Sequence, residues 1–326
     1  MIVVGCYFGI TPWNMNRLSI DESDLSFSIL IFGIFFVLSN QIAGRILVPK
    51  YGTKLVMSLA FPLITFSTLL SIISPSYFYF LLTFIPAGIG WGASGPIGGI
   101  HCQLIEKHFK KIITPYYAMG FNIGILVGGG LAGIIMRYSF EPFMFFLVLS
   151  LSSILVALLV LNLGLPSNLD FKGKGEKFKI PESNVLIFGF LLFFVFGSGG
   201  IIMDWSTLWL SKDLNAPLYL ASMGLIFFSL GGILANLFSN SLIDLFSEKV
   251  VGCHFVMIGA SIMLLSLLTN NFYIILGVLC IYGFAIANLV PIVIRQAVKQ
   301  SNESIPMTVT NPVSYTHLTL PTKRIV

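Results

Sequence analysis

Asp204 is the carboxylate whose sequence surroundings are least like water. It stands in Gly199-Gly200-Ile201-Ile202-Met203-Asp204-Trp205, inside a long apolar run. A charge in such a run is costly and is therefore a functional candidate by default. Its chemistry would be proton titration or the binding of a polar solute. The competing reading is an acid solvated near a helix end, or paired with Arg17 or Lys212. Amides form the second group. Asn40, Gln41, Asn122, Asn236 and Asn288 all fall within apolar runs, where each needs a hydrogen-bond partner on another helix or on a solute. Trp91 lies mid-run between Gly90 and Gly92, where an indole could stack on a sugar ring or simply pack between helices. Trp13 and Trp205 sit near the ends of their runs and read equally well as members of an interfacial aromatic belt.

No soluble-enzyme constellation accompanies these residues. His101 and His108 have no second metal-ligand pair, and no glycine-rich loop ends in Gly-Lys-Ser/Thr, so neither a metal nor a nucleotide cofactor is expected. Cys6, Cys102, Cys253 and Cys280 are far apart and read as small buried hydrophobes. The net charge of +5 does not form a continuous basic face, which argues against a nucleic-acid partner.

The elements that must position these residues follow from composition. The chain of 326 residues is 56% hydrophobic and 10% charged, with a mean hydropathy of +0.94. Soluble domains carry roughly 25% charged residues, so the chain belongs in a lipid bilayer. A hydrocarbon core about 30 Å thick needs about 20 apolar residues as helix. Met1 to Trp13 is shorter and reads as the outer part of a first span, followed by a polar link from Asn14 to Asp24. Further spans are expected at 25–48, 55–74, 77–102, 112–136, 142–165, 185–210, 218–243, 250–269 and 272–294. Between the sixth and seventh lies a polar segment with Lys172, Lys174, Lys177 and Lys179, the natural linker between two halves. Residues 1–165 are thus expected to form one bundle, 166–184 a linker and 185–313 a second bundle. Residues 314–326 resemble a translated sequencing-adapter tail and are set aside.

Lysine and arginine bias gives orientation, because cytoplasmic loops retain positive charge. The turns after even-numbered spans, together with the linker, hold 13 of these residues, and the opposite turns hold 3. The chain start, the linker and the even-numbered turns are therefore expected on the cytoplasmic side.

The second and third spans meet at Arg45-Ile46-Leu47-Val48-Pro49-Lys50-Tyr51-Gly52-Thr53-Lys54-Leu55-Val56. A relative recurs 195 residues later, from Ser241 to Val251, where Phe246, Ser247, Lys249 and Val251 fall on Tyr51, Gly52, Lys54 and Val56. At the same offset Ile226, Phe227 and Ile233 fall on Ile31, Phe32 and Leu38, and at an offset of 192 Trp205 falls on Trp13. Duplicated six-helix halves are one known architecture of carriers. The two turns resemble the helix two to three and eight to nine loops of the major facilitator superfamily, whose pattern runs G-x-x-x-D-R-x-G-R-K. Asp204-Trp205, Ile243-Asp244-Leu245-Phe246-Ser247 and Ile105-Glu106-Lys107 resemble its YbjJ-like inner-membrane branch.

The resemblance implies an all-α polytopic fold of two pseudo-symmetric six-helix bundles, here truncated to about ten helices, with the start of helix one and helices eleven and twelve missing. It implies a secondary-active or facilitative carrier of a small organic solute working by alternating access, as a monomer in the inner membrane, with protons as the coupling ion if transport is active. It is not expected to be an enzyme. A non-transporting sensor or scaffold that has kept the fold is the alternative, and lipid movement a third. The superfamily's spans one, four, seven and ten line its cavity, which makes Trp91, Asp204, Trp205 and Asn288 candidate contacts, with Asn122 and Asn236 on flanking spans. Arg45, Lys50, Gly52, Lys54, Asp244 and Lys249 are the corresponding gate-loop residues. In the first turn Pro49 stands where the family has aspartate, so that half is expected to lack one acid of its latch. Gly95-Pro96 and Pro291 are bend points or static kinks. Gly120, Gly124, Gly128, Gly129 and Gly133 permit close helix contact.

Overall fold

A single buried turn residue, Gly52, divides what would otherwise be a helix far too long for one crossing. A computed structural model of the chain describes residues 1–111, 113–164, 170 and 183–300. Among them every regular element is helical. The stretch Glu22–Ile73 has 52 residues, about 78 Å as continuous helix at 1.5 Å per residue. Gly52 breaks it with φ 82° and ψ 167°, so the stretch holds the expected second and third spans. Seven such apolar stretches are long enough to cross a membrane among the described residues, and the chain is a multi-pass membrane protein.

The helices are α1 (Ile2–Gly9), α2 (Thr11–Leu18), α3 (Glu22–Ile42), α4 (Val48–Ile73), α5 (Tyr77–Phe109), α6 (Thr114–Arg137), α7 (Pro142–Leu163) and α8 (Ser183–Leu208). They continue as α9 (Leu218–Ala221), α10 (Met223–Leu237), α11 (Ser239–Lys249), α12 (Phe255–Ser266), α13 (Phe272–Ile286) and α14 (Leu289–Gln300). Boundaries follow local chemistry. The expected polar link 14–24 is helical to Leu18 and again from Glu22, where Asp21 and Asp24 form a reciprocal cap. Asn271 starts α13 by accepting from the Tyr273 and Ile274 amides at 3.0 and 3.2 Å. The expected tenth span is two helices, with the break at Ala287–Asn288. Pro291 explains it, since its missing N–H would have served the Ala287 carbonyl. No such break occurs at Gly95, and α5 runs unbroken through it.

The chain divides into two compact units. One comprises Met1–Arg17, Thr114–Glu141 and Ser198–Val293. Its apolar core gathers Ile202, Leu210, Phe228, Ile275, Leu279, Tyr282 and Ile286. Small residues on α6 let α1 and α10 approach: a Cβ at Gly128 would meet backbone of Ile2, Gly5 and Cys6, and one at Gly129 would meet Ile226 and Leu225. Gly120 faces open space, so the glycine series is not one contact surface. The other unit comprises the described residues of 18–113, 142–197 and 294–300. In it Gly88 and Gly92 bring α5 against the backbone of α3 at Phe32 and Phe36, while Gly90 meets Ala60 and Ile64 of α4. Ser39 donates to the Ile89 carbonyl at 2.7 Å, and Ser150 to the Thr65 carbonyl at 2.9 Å. Most of the expected linker and the 314–326 segment lie outside the described residues.

Candidate functional site

Three of the sequence-predicted amides converge on one length of α10. α6 and α10 run antiparallel, with Gly133 level with Ser222, Gly129 with Leu225, and the Asn122 amide against Gly232. One residue row further on, the Asn288 amide nitrogen donates to the Ala235 carbonyl at 3.0 Å. Asn236 follows directly and is buried, and neither its oxygen nor its nitrogen has a hydrogen-bond partner among the described residues. The Asn288 oxygen and the Ser229 hydroxyl are in the same condition. Ser222, Ser229 and Asn236 recur every seven residues and so share a face of α10. Each buried amide group left without a partner costs about 1–3 kcal/mol. An arrangement that carries several such groups is suited to a water or solute with hydroxyls or amides of its own.

Asp204 and Trp205 lie in the α8 portion of the same unit, both half-buried. Asp204 has no ion-pair or hydrogen-bond partner among the described residues. Arg17, weighed as its partner, instead donates to the Asn14 oxygen at 2.8 and 3.1 Å and lies 5.6 Å from the Trp13 ring centre. One turn past Asp204, Thr207 donates to the Phe8 carbonyl at 3.0 Å. Positions three apart share a helix face, so Asp204 lies on the side of α8 that Thr207 turns to α1. Sequence reading missed Thr207. The signal for it was Pro12, whose absent N–H would have been the helical partner of Phe8.

Trp91 belongs to the other unit and is half-buried. Asn40, also there, is fully buried with both amide atoms unpartnered among the described residues. The gate-loop residues divide by environment. Arg45 is buried in a π-helical turn (Ala43–Leu47) and donates to Gln41 at 2.6 Å. Lys50 is exposed, 5.0 Å from the Tyr51 ring centre, and the Lys54 stem lies against Gly164. In the second turn Asp244 and Lys249 are exposed. Ser247, the partner of Gly52 in the sequence repeat, has φ 69° and ψ 155°, so the repeat holds at the level of backbone conformation. Among the cysteines, all of them free thiols, Cys253 is exposed, against the expectation of burial.

A helical, multi-pass chain that repeats a turn of this conformation 195 residues apart defines the class as a polytopic membrane fold with an internal repeat. The sequence model of the Major Facilitator Superfamily matches residues 1–307, and the chain belongs to that superfamily. An uncharacterized MFS-type transporter of Yersinia pestis is 22% identical over 303 residues, covering 90% of this chain and 76% of the relative. Among solved structures, a D-xylose-proton symporter aligns with TM-score 0.70 at 15% identity, covering 98% of this chain and 86% of that one. The nucleoside transporter NupG aligns with TM-score 0.64 at 13% identity, covering 98% and 87%. The human organic anion transporter MFSD10 aligns with TM-score 0.63 at 17% identity, covering 96% and 80%. At these identities the likeness speaks for the fold.

Proposed function

We propose that this chain is a secondary carrier of a small, polar organic solute, working by alternating access and coupled to protons through Asp204. Membership of a transporter superfamily gives the class, and the observation that carries the finer reading is Asn236. It is a buried amide with both atoms unsatisfied, beside Asn288 and within a turn of Asn122's contact at Gly232. Such a group is kept at a cost that solute hydroxyls would offset. Asp204 suits coupling because protonation removes the charge that must otherwise be carried, unpaired, through a closed state. The two bundles, 1–165 and 185–313, would rock about this site as monomers in an inner membrane, with the linker on the cytoplasmic side as the basic-residue bias suggests.

The test is uptake into proteoliposomes with and without an inward proton gradient, using D-xylose and a nucleoside as first probes. The expected result is gradient-stimulated uptake of one probe class by wild type and loss of that stimulation in Asp204→Asn. Gradient stimulation that survives intact in Asp204→Asn removes Asp204 as the coupling group. Absence of flux for every solute tried, with substitutions at Asn236 and Asp204 without effect on a ligand-dependent thermal shift, favours a sensor or scaffold.

A further inference from the structure

The first residues of the third span carry a carboxylate that the turn itself does not encode. Gly52, at φ 82°, directs the chain so that the amides of Thr53 and Lys54 open the next helix without partners in their own turn. Asp170, the single described residue between Gly164 and Ser183, occupies that opening. Its carboxylate accepts from the Thr53 amide at 3.1 Å, the Thr53 hydroxyl at 2.8 Å and the Lys54 amide at 3.5 Å. The Thr53 hydroxyl lies in turn 3.1 Å from Nδ1 of His101 on α5. With its proton directed to Asp170, that hydroxyl can accept from the imidazole, so the three side chains form one chain of hydrogen bonds.

A second feature shows that the turn is shaped for this carboxylate. A Cβ on residue 52 would collide with Asp170 Oδ2 and lie 3.2 Å from its Cγ, so a side chain there would displace the carboxylate, and the positive φ favours glycine as well. Thr53 is fully buried, which shields these bonds from competing water. A negative group at a helix N-terminus also gains from the aligned peptide dipoles. The superfamily turn has an acid where this chain has Pro49, and nothing within residues 45–56 replaces it.

We infer that Asp170 is a tether. It holds the segment joining the sixth and seventh spans to the start of the third, and supplies from 117 residues away the acid that the turn lacks. Asp170 and the turn between spans two and three then move together, so that a change at either is felt by the other. This contact stands apart from solute binding and does not depend on the carrier reading.

Hydrogen–deuterium exchange on the full-length chain in lipid nanodiscs tests it. In Asp170→Ala the peptide containing Thr53 and Lys54 should exchange about tenfold faster or more, as expected for loss of hydrogen bonds to a charged acceptor. Peptides from α6 and α13 should be unchanged. Thr53→Val keeps the amide but removes the hydroxyl, and should speed exchange in the peptide containing Asp170. Unchanged exchange around Thr53 in Asp170→Ala overturns the tether. Should that variant not fold, unchanged exchange around Asp170 in Thr53→Val overturns it equally.

Discussion

The Thr207 hydroxyl donates to the Phe8 carbonyl at 3.0 Å, and Phe8 is the residue whose helical partner Pro12 removes. Pro12, in the first turn of α2, thus withholds one amide from a carbonyl that also accepts from a cap N–H of α1, and a threonine on α8 donates to it one turn from Asp204. Sequence reading singles out neither Phe8 nor Thr207, and only the fold joins them across 199 residues.

Because Pro12 withholds one donor from this carbonyl, the two positions should be energetically coupled. Thr207→Val should lower stability by about 1 kcal/mol in thermal unfolding, the usual size of one hydrogen bond. With Pro12→Ala in place the helix regains an N–H for Phe8, and the same replacement should cost well under half as much. A double-mutant cycle reads the difference directly. Equal costs in both backgrounds would mean that the hydroxyl does not serve that carbonyl.

The twin turns should respond in opposite directions to glycine. Ser247 holds φ 69° and ψ 155°, a region that costs a side-chain-bearing residue about 1–3 kcal/mol. Ser247→Gly should therefore raise the unfolding temperature. Gly52→Ala should lower it by more than Ser247→Gly raises it, since the new methyl meets both the backbone restriction and Asp170. A thermal melt of both variants decides it, and a Ser247→Gly melt at or below wild type would argue against strain at that turn.

These turns also show how far the sequence could be read. The match of Gly52 to Ser247 is legible as spacing, whereas the positive φ that the two positions share is seen only in the structure. Apolar run length located the helices, but bends within them arose from single carbonyls freed by Pro12 and Pro291, which hydropathy does not register. Asn122, Asn236 and Asn288 were visible as amides in lipid-length runs. Their convergence on Gly232 to Asn236 was not, because it depends on the antiparallel register of α6 and α10. Asp170 was hidden for another reason: in a polar linker an acid is ordinary, and only the open amides at Thr53 give it a task.

Asn236 separates stability from function. Replacing a buried, unsatisfied amide by an apolar side chain of similar size removes a desolvation cost of about 1–3 kcal/mol without breaking a bond. Asn236→Leu should thus melt at or above the wild-type temperature. If the amide contacts solute, the same variant should lose at least about tenfold in transport rate, the effect of one lost polar contact of that size. Loss of stability together with unaltered transport would assign Asn236 to helix packing instead.

The glycines of α6 offer a test in which neighbours of identical type behave differently. At Gly128 a methyl would run into backbone atoms of Ile2, Gly5 and Cys6, none of which can rotate away. Gly128→Ala should force α1 off α6 and cost about 1–3 kcal/mol, the usual penalty for overpacking. At Gly120 nothing lies within 4 Å of the same methyl, and alanine is the better helix former by up to about 1 kcal/mol. Gly120→Ala should therefore be neutral or stabilising in the same unfolding assay. Similar losses in both variants would mean that α1 does not seat on α6 through Gly128, and with it the position of Phe8 opposite Thr207 would have to be redrawn.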